Sequence, residues 1–223
     1  MPVNTASPGI GIQPSPSIPE QIAAVLRRDI VTAEIEPDTA IKQSHIALRF
    51  GVSQAPVREA LNQLIAEHLV VHYPNRGVRV APLKVAELKE AASLRATLET
   101  ELVRQAMANF SEVDAVVAET ALERIGKANN VGDLMAAHEA FHDAIYEPAG
   151  TPITLDIVQG LRARCSRYLG FMWKNSDKGR LSFSEHRKLL DLVLAGDADK
   201  TATYLREHIS ASTEATVACL EGR

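Results

Sequence analysis

Cysteine is scarce in this chain: among 223 residues only Cys165 and Cys219 carry a thiol. Two cysteines so far apart build neither a disulfide framework nor a zinc knuckle, and they suit a reducing compartment as small, buried apolar side chains. Long apolar runs are lacking as well. No stretch reaches the roughly 18 residues of a membrane span, and no basic segment followed by an apolar core stands at the N-terminus. The expectation is a cytoplasmic protein with no membrane partner. Nor is there a basic excess: the formal net charge is −4, which excludes a global field drawing the chain onto nucleic acid and leaves DNA binding to a local surface. Internal repeats and coiled-coil heptads are absent too. What is present, 46% hydrophobic and 23% charged residues, is a globular composition sufficient for one large or two modest domains.

Residues 1–17 hold no charged side chain but four prolines and two glycines, a composition that reads as a flexible arm. From Ile18 the texture changes. Ile22, Val25, Leu26 and Ile30 recur at helical spacing and predict a helix over about 19–33. Ser44 is expected to cap a short helix that Gly51 ends, and Ser53 to cap the next, whose first turn tolerates Pro56 and whose inward stripe is Val57, Leu61 and Leu64. Val70–Tyr73, the turn residues Pro74–Gly77, and Val78–Val80 read as a two-stranded hairpin. Beyond residue 82 strand signals vanish. Six helices are expected near 84–108, 113–127, 133–147, 153–174, 183–195 and 198–220, with a capping-box spacing at Ser182–Glu185 and a stop and restart at Gly196–Asp197. The fold class is therefore mainly α: a winged helix-turn-helix over 18–82, then an all-helical bundle over 83–223.

A short helix, a tight turn, a second helix and a hairpin form a unit whose second helix fits a DNA major groove. Ser53, Gln54, Ala55 and Arg58 fall where such a helix presents side chains. Gln54 has the chemistry to pair with adenine, and Arg58 to hold phosphate or guanine. Asn75, Arg76 and Gly77 at the hairpin tip are placed for the backbone or minor groove. A protein-binding module is the alternative use of this pattern. Residues 18–82 balance seven Lys or Arg against seven Asp or Glu, so one copy neutralises few phosphates and two copies on a symmetric double-stranded operator are called for.

Four histidines fall in the bundle: His138, His142, His186 and His208. His138 and His142 are four apart on one predicted helix, on the stripe of Phe141 and Ile145, and His186 and His208 lie on or beside inward faces of two others. Each alone suits a hydrogen-bonded core histidine; together they suit a divalent metal ion in the bundle core. His138-Glu139-Ala140-Phe141-His142 also spells H-E-x-x-H, whose Glu is a general base in zinc proteases. The downstream ligands of those enzymes are missing: Ile145 and Pro148 stand where metzincins have Gly and His, and Leu161–Arg164 where gluzincins have an acid. A metal-dependent hydrolase with a DNA-binding appendage is the alternative this motif raises, and an enzyme is not the expectation.

The run Ala47-Leu48-Arg49-Phe50-Gly51-Val52-Ser53-Gln54-Ala55-Pro56-Val57-Arg58-Glu59-Ala60-Leu61, followed by Pro74-Asn75-Arg76-Gly77, resembles the winged-helix domain of GntR-family bacterial transcription regulators. The resemblance implies DNA contacts at Ser53, Gln54, Ala55, Arg58, Arg76 and Gly77, adds Ser44 on the preceding helix, and departs from the family where Gln54 and Ser44 replace arginines. The helical half resembles the FCD (FadR C-terminal) domain, a six- or seven-helix bundle that binds small effectors. Its metal-binding members carry Asp-x-x-x-His and two later histidines, which implies a metal at His138, His142, His186 and His208 with His138 in place of the Asp. An all-nitrogen set favours zinc, with nickel or cobalt as alternatives, over manganese or magnesium. The ion is structural if four imidazoles close it, and ligand-binding if positions stay open. Arg95, one turn before Glu99, resembles a cavity-facing arginine that clamps a carboxylate, or forms a plain Arg–Glu pair. The resulting expectation is a homodimeric transcription repressor responsive to a small organic acid.

Overall fold

The computed structural model describes residues 15–176 and 182–222. All of the expected arm except residues 15–17 falls outside them. Ser17 caps α1 (Ile18–Val31), taking Glu20 N–H on its hydroxyl while the Glu20 carboxylate accepts from Ser17 N–H at 2.6 Å. That is a capping box with Pro19 in the first turn, where no helical N–H is lost. α2 (Gln43–Phe50) ends at Gly51, whose φ of 65° is the left-handed conformation that glycine reaches without strain. α3 (Gln54–Ala66) follows with Ser53 at its N-cap.

The wing is a three-stranded antiparallel sheet in the order β1 (Ala40–Ile41), β3 (Gly77–Val80), β2 (Val70–Tyr73), with Tyr73 opposite Gly77. β1 was not expected, because two residues are too few to show an alternation. Ile22, Leu26 and Ile30 of α1 pack with Val57, Leu61 and Leu64 of α3 and with Val70 and Val80 of the sheet. The helical stripes expected from the sequence are buried except at Val25, which is half-buried.

Among the described residues six α-helices form the second body: α4 (Val85–Met107), α5 (Glu112–Lys127), α6 (Val131–Tyr146), α7 (Pro152–Asn175), α8 (Ser182–Leu194) and α9 (Ala198–Glu221). α4 lies against α7 and α9, and α5 against α6 and α8, around Leu102, Leu122, Phe141, Ile145, Leu189, Leu190 and Leu205. Asp197 caps α9 through Lys200 N–H, as the restart after Gly196 predicts. At α8 the expectation fails: Ser182 is already helical, so it is not the N-cap, and its hydroxyl stands 3.3 Å from His186 Nδ1. Both thiols are free, Cys165 buried but Cys219 only half-buried.

The two bodies meet along α7. A Cβ on Gly170 would lie 1.8 Å from the Val31 carbonyl oxygen at the end of α1. Mid-helix glycine costs about 1 kcal/mol against alanine; here it is what admits a backbone carbonyl to the helix surface. Lys174 donates to Ala33 O at 2.9 Å, and Arg167 donates to Ala81 O at 2.9 Å and Pro82 O at 3.2 Å. Arg162 and Arg167 are buried structural cations, whereas Arg164 beside them is exposed.

Candidate functional site

The face expected to meet DNA lies on α2, α3 and the wing, and every residue expected there is exposed: Ser44, Ser53, Gln54, Ala55, Arg58, Asn75, Arg76 and Gly77. Local geometry explains how. Ser53 sits at the N-cap of α3 without making a side-chain cap bond, so its hydroxyl and the open N–H groups of the first turn face outward, an arrangement suited to phosphate. Ser44 is not the cap of α2; Lys42 holds that place, and Ser44 is displayed on the first turn. Asn75 with φ 64° and Gly77 with φ 74° fold the wing tip back tightly and leave Arg76 projecting.

Charge is redistributed by the fold. Arg27 pairs with Glu67, Arg28 and Arg49 with Asp29, and Arg79 with Asp38. Lys42, Arg58 and Arg76 form no ion pair among the described residues, and all three are exposed on the reading elements. A domain neutral by count thus presents unneutralised cations where the phosphates of a duplex would lie.

The second site lies inside the bundle. His138, His142 and His186 are buried, and one ring nitrogen of each lies within 4.8 Å of the others. Burial first, and the neighbouring cations and imidazoles second, push all three well below the usual histidine range, His186 to about 3. They are neutral, as metal ligands must be. The sharpest contact is His142 Nε2 to His186 Nε2 at 3.1 Å.

The outer side of each ring shows which nitrogens carry protons. His186 Nδ1 lies 2.6 Å from the Ser182 carbonyl, which only accepts, so Nδ1 holds the proton and Nε2 is a bare lone pair. His142 Nδ1 faces the Tyr146 hydroxyl at 3.2 Å, and that hydroxyl donates to Glu99 at 2.7 Å. His142 Nε2 is then bare as well. Two lone pairs face one another in a buried site, a contact that costs free energy until a cation lies between them. Imidazole nitrogens on one zinc ion at about 2.0–2.1 Å each stand roughly 3.0–3.4 Å apart. The donor set therefore fits a borderline divalent ion.

His208 stands beside this group. Its ring centroid is 5.0 Å from that of His186, while its Nδ1 is turned to the Glu185 carboxylate at 3.5 Å, the outer partner that commonly orients a ligating histidine. Burial holds its pKa down at about 4. Among the described residues no carboxylate joins the three: Asp143 is taken by Arg162 at 2.7 Å, and Glu139 accepts from Ser166 on α7 at 3.1 Å. Arg95 makes the Arg–Glu pair of the alternative reading, Nε to Glu99 at 2.6 Å. Sequence reasoning missed Tyr146, whose i+4 spacing from His142 was the available signal, and Trp173, whose ring lies 5.3 Å from that of His138. A concavity of about 750 Å³ lies elsewhere, between the two bodies, lined in part by Val71, His72, Leu94, Leu161 and Arg164.

An outward-facing recognition helix and wing, carried on a helical body with its own buried polar centre, define a DNA-binding transcription regulator. Comparison with known proteins agrees. Residues 18–80 match the model of bacterial regulatory proteins of the gntR family, and residues 90–211 match the FCD domain. The chain belongs to the GntR family and carries an FCD domain. It is 24% identical over 206 residues to the HTH-type transcriptional repressor RspR of Escherichia coli K12, covering 91% of this chain and 90% of that protein. To the repressor GlaR of the same strain it is 29% identical over 197 residues, 82% of this chain and 89% of GlaR. Among solved structures, E. coli McbR/YncC superposes with a TM-score of 0.77 at 21% identity over 91% of this chain and 98% of that one, a likeness of fold. The hydrolase alternative finds no support: Glu139 is engaged on α7, and the relatives are regulators. Among the described residues no helix is long and apolar enough to cross a membrane.

Proposed function

We propose that this regulator is a homodimeric repressor whose grip on a pseudo-palindromic operator responds to a small organic acid bound at a divalent metal in the FCD domain. The observation that carries the metal is the 3.1 Å approach of two Nε2 lone pairs in a buried, neutral histidine group. His138, His142 and His186 would hold the ion, with His208 as the fourth ligand, and zinc, nickel or cobalt suit four nitrogens. The ion would supply a positive anchor for an effector carboxylate. An effector carboxylate would add an oxygen to these nitrogens, which is how the proposed site would sense a ligand rather than serve structure alone. Arg95 supports the group from behind, its Nε committed to Glu99.

Repression is the activity for which RspR and GlaR are named, and it comes to this chain by that likeness. Dimerisation is supported by an apolar stripe on α7, Ile153 at 78% and Ile157 at 49% exposed, running into Leu161 beside the exposed Leu94 of α4. The readings are tested together. Elemental mass spectrometry of untagged protein should find about one ion per chain, and His142→Ala with His186→Ala should abolish both the ion and the response of operator binding to small carboxylates. Metal-free protein that refuses added zinc, nickel and cobalt, or an unchanged response in the variants, would overturn the proposal.

A further inference from the structure

His142 is held from behind by a chain that crosses to another helix. Its Nδ1 meets the Tyr146 hydroxyl one turn along α6; that hydroxyl donates to Glu99 Oε2 on α4, and Glu99 Oε1 accepts from Arg95 Nε. Glu99 and Tyr146 are fully buried, and Arg95 nearly so. Tyr146 has one proton to place. A carboxylate paired with a guanidinium is a stronger acceptor than a neutral imidazole nitrogen. The phenol proton therefore goes to Glu99, and the phenol oxygen is left to accept from Nδ1–H of His142.

We propose that Arg95, Glu99 and Tyr146 form a positioning chain that fixes His142 in its Nδ1–H tautomer, so that the Nε2 lone pair stays bare and aimed at His186. The consequence for a divalent ion rests on the metal reading above; the tautomer itself does not. Without the chain, His142 is free to carry its proton on Nε2 and donate it to His186, and that neutral imidazole–imidazole hydrogen bond would close the site that the ion needs. Tyr146 and Glu99 touch no ligand in this scheme. They act through His142, and they tie its ring orientation to α4.

Long-range proton–nitrogen correlation spectra of the metal-free, full-length protein report the tautomer of each histidine. The expected result is Nδ1–H at His142 in the parent and Nε2–H after Tyr146→Phe. Zinc affinity, read by competition with a chromophoric chelator, should fall about ten- to hundredfold in Tyr146→Phe. Tyr168→Phe, which removes a hydroxyl bonded to the Lys84 backbone instead, should leave it unchanged. An Nε2–H tautomer at His142 in the parent protein overturns the chain, and so does a folded Tyr146→Phe that keeps both tautomer and affinity; zinc uptake by the parent would then leave the metal reading standing. A parent that takes up no metal overturns that reading alone, because the spectra still judge the chain. If Tyr146→Phe does not fold, the parent spectrum decides.

Discussion

At the scale of single residues the behaviour of the bundle turns on neutral imidazoles held away from water. His186 sits at about 3 and His208 at about 4, both lowered chiefly by burial from an ordinary 6.5. The sign follows directly. Below pH 6.5 the unfolded chain takes up protons that the native sites refuse, so the native state binds fewer protons and stability falls as pH falls. The loss runs from about 6.5 down towards 4 and 3, at up to about 1.4 kcal/mol per pH unit for each histidine that stays neutral. Melting of metal-free protein across that window should show the slope, and His186→Ala should flatten it; a flat parent profile between pH 6.5 and 4.5 would contradict the burial argument.

Among the elements, α7 joins the two bodies. It receives the end of α1 at Gly170, clamps the linker carbonyls of Ala81 and Pro82 through Arg167, and reaches the histidine helix α6 through Arg162 to Asp143 and the Glu139 carbonyl. The signal proposed at the histidines and a displacement of the winged helix would therefore share one element. Gly170→Ala should gain about 1 kcal/mol of helix propensity and lose more to the clash with Val31 O. The expected outcome is an intact bundle with the winged helix undocked, seen as new proteolytic cleavage near residues 81–84 while bundle melting stays within a few degrees of the parent. Cleavage no faster than in the parent would show that the close approach does not hold the bodies together.

For the whole molecule, the balance of charge favours the homodimer proposed above. Three exposed, unpaired cations per reading face neutralise few phosphates, so one domain alone binds a duplex weakly. Two domains joined through the bundle gain by effective concentration. Ile157→Glu on the exposed α7 stripe buries a charge in the proposed contact and should give a folded monomer by sedimentation, with operator affinity reduced at least tenfold. A variant that stays dimeric would move the contact to another face.

Much of this architecture was legible in the sequence. Helical periodicity located the long helices to within a residue or two, because an amphipathic stripe is a local property of consecutive residues, and the Gly51–Leu61 run and the wing turn carried the resemblance to the gntR family that residues 18–80 match. The ring positions of His138, His142 and His186 followed from spacing along inward stripes. What the tertiary structure alone decided depends on contacts between distant segments. Two-residue β1 exists because β3 offers it hydrogen bonds, and Gly170 matters because Val31 O arrives from 139 residues away. Arg162 and Arg167 are buried because Asp143 and a backbone carbonyl from distant segments meet their guanidinium groups. The tautomer of His142 belongs to this class too: sequence supplies the imidazole, but which nitrogen bears the proton is set by Tyr146 and by a carboxylate on another helix, and that is a matter of packing.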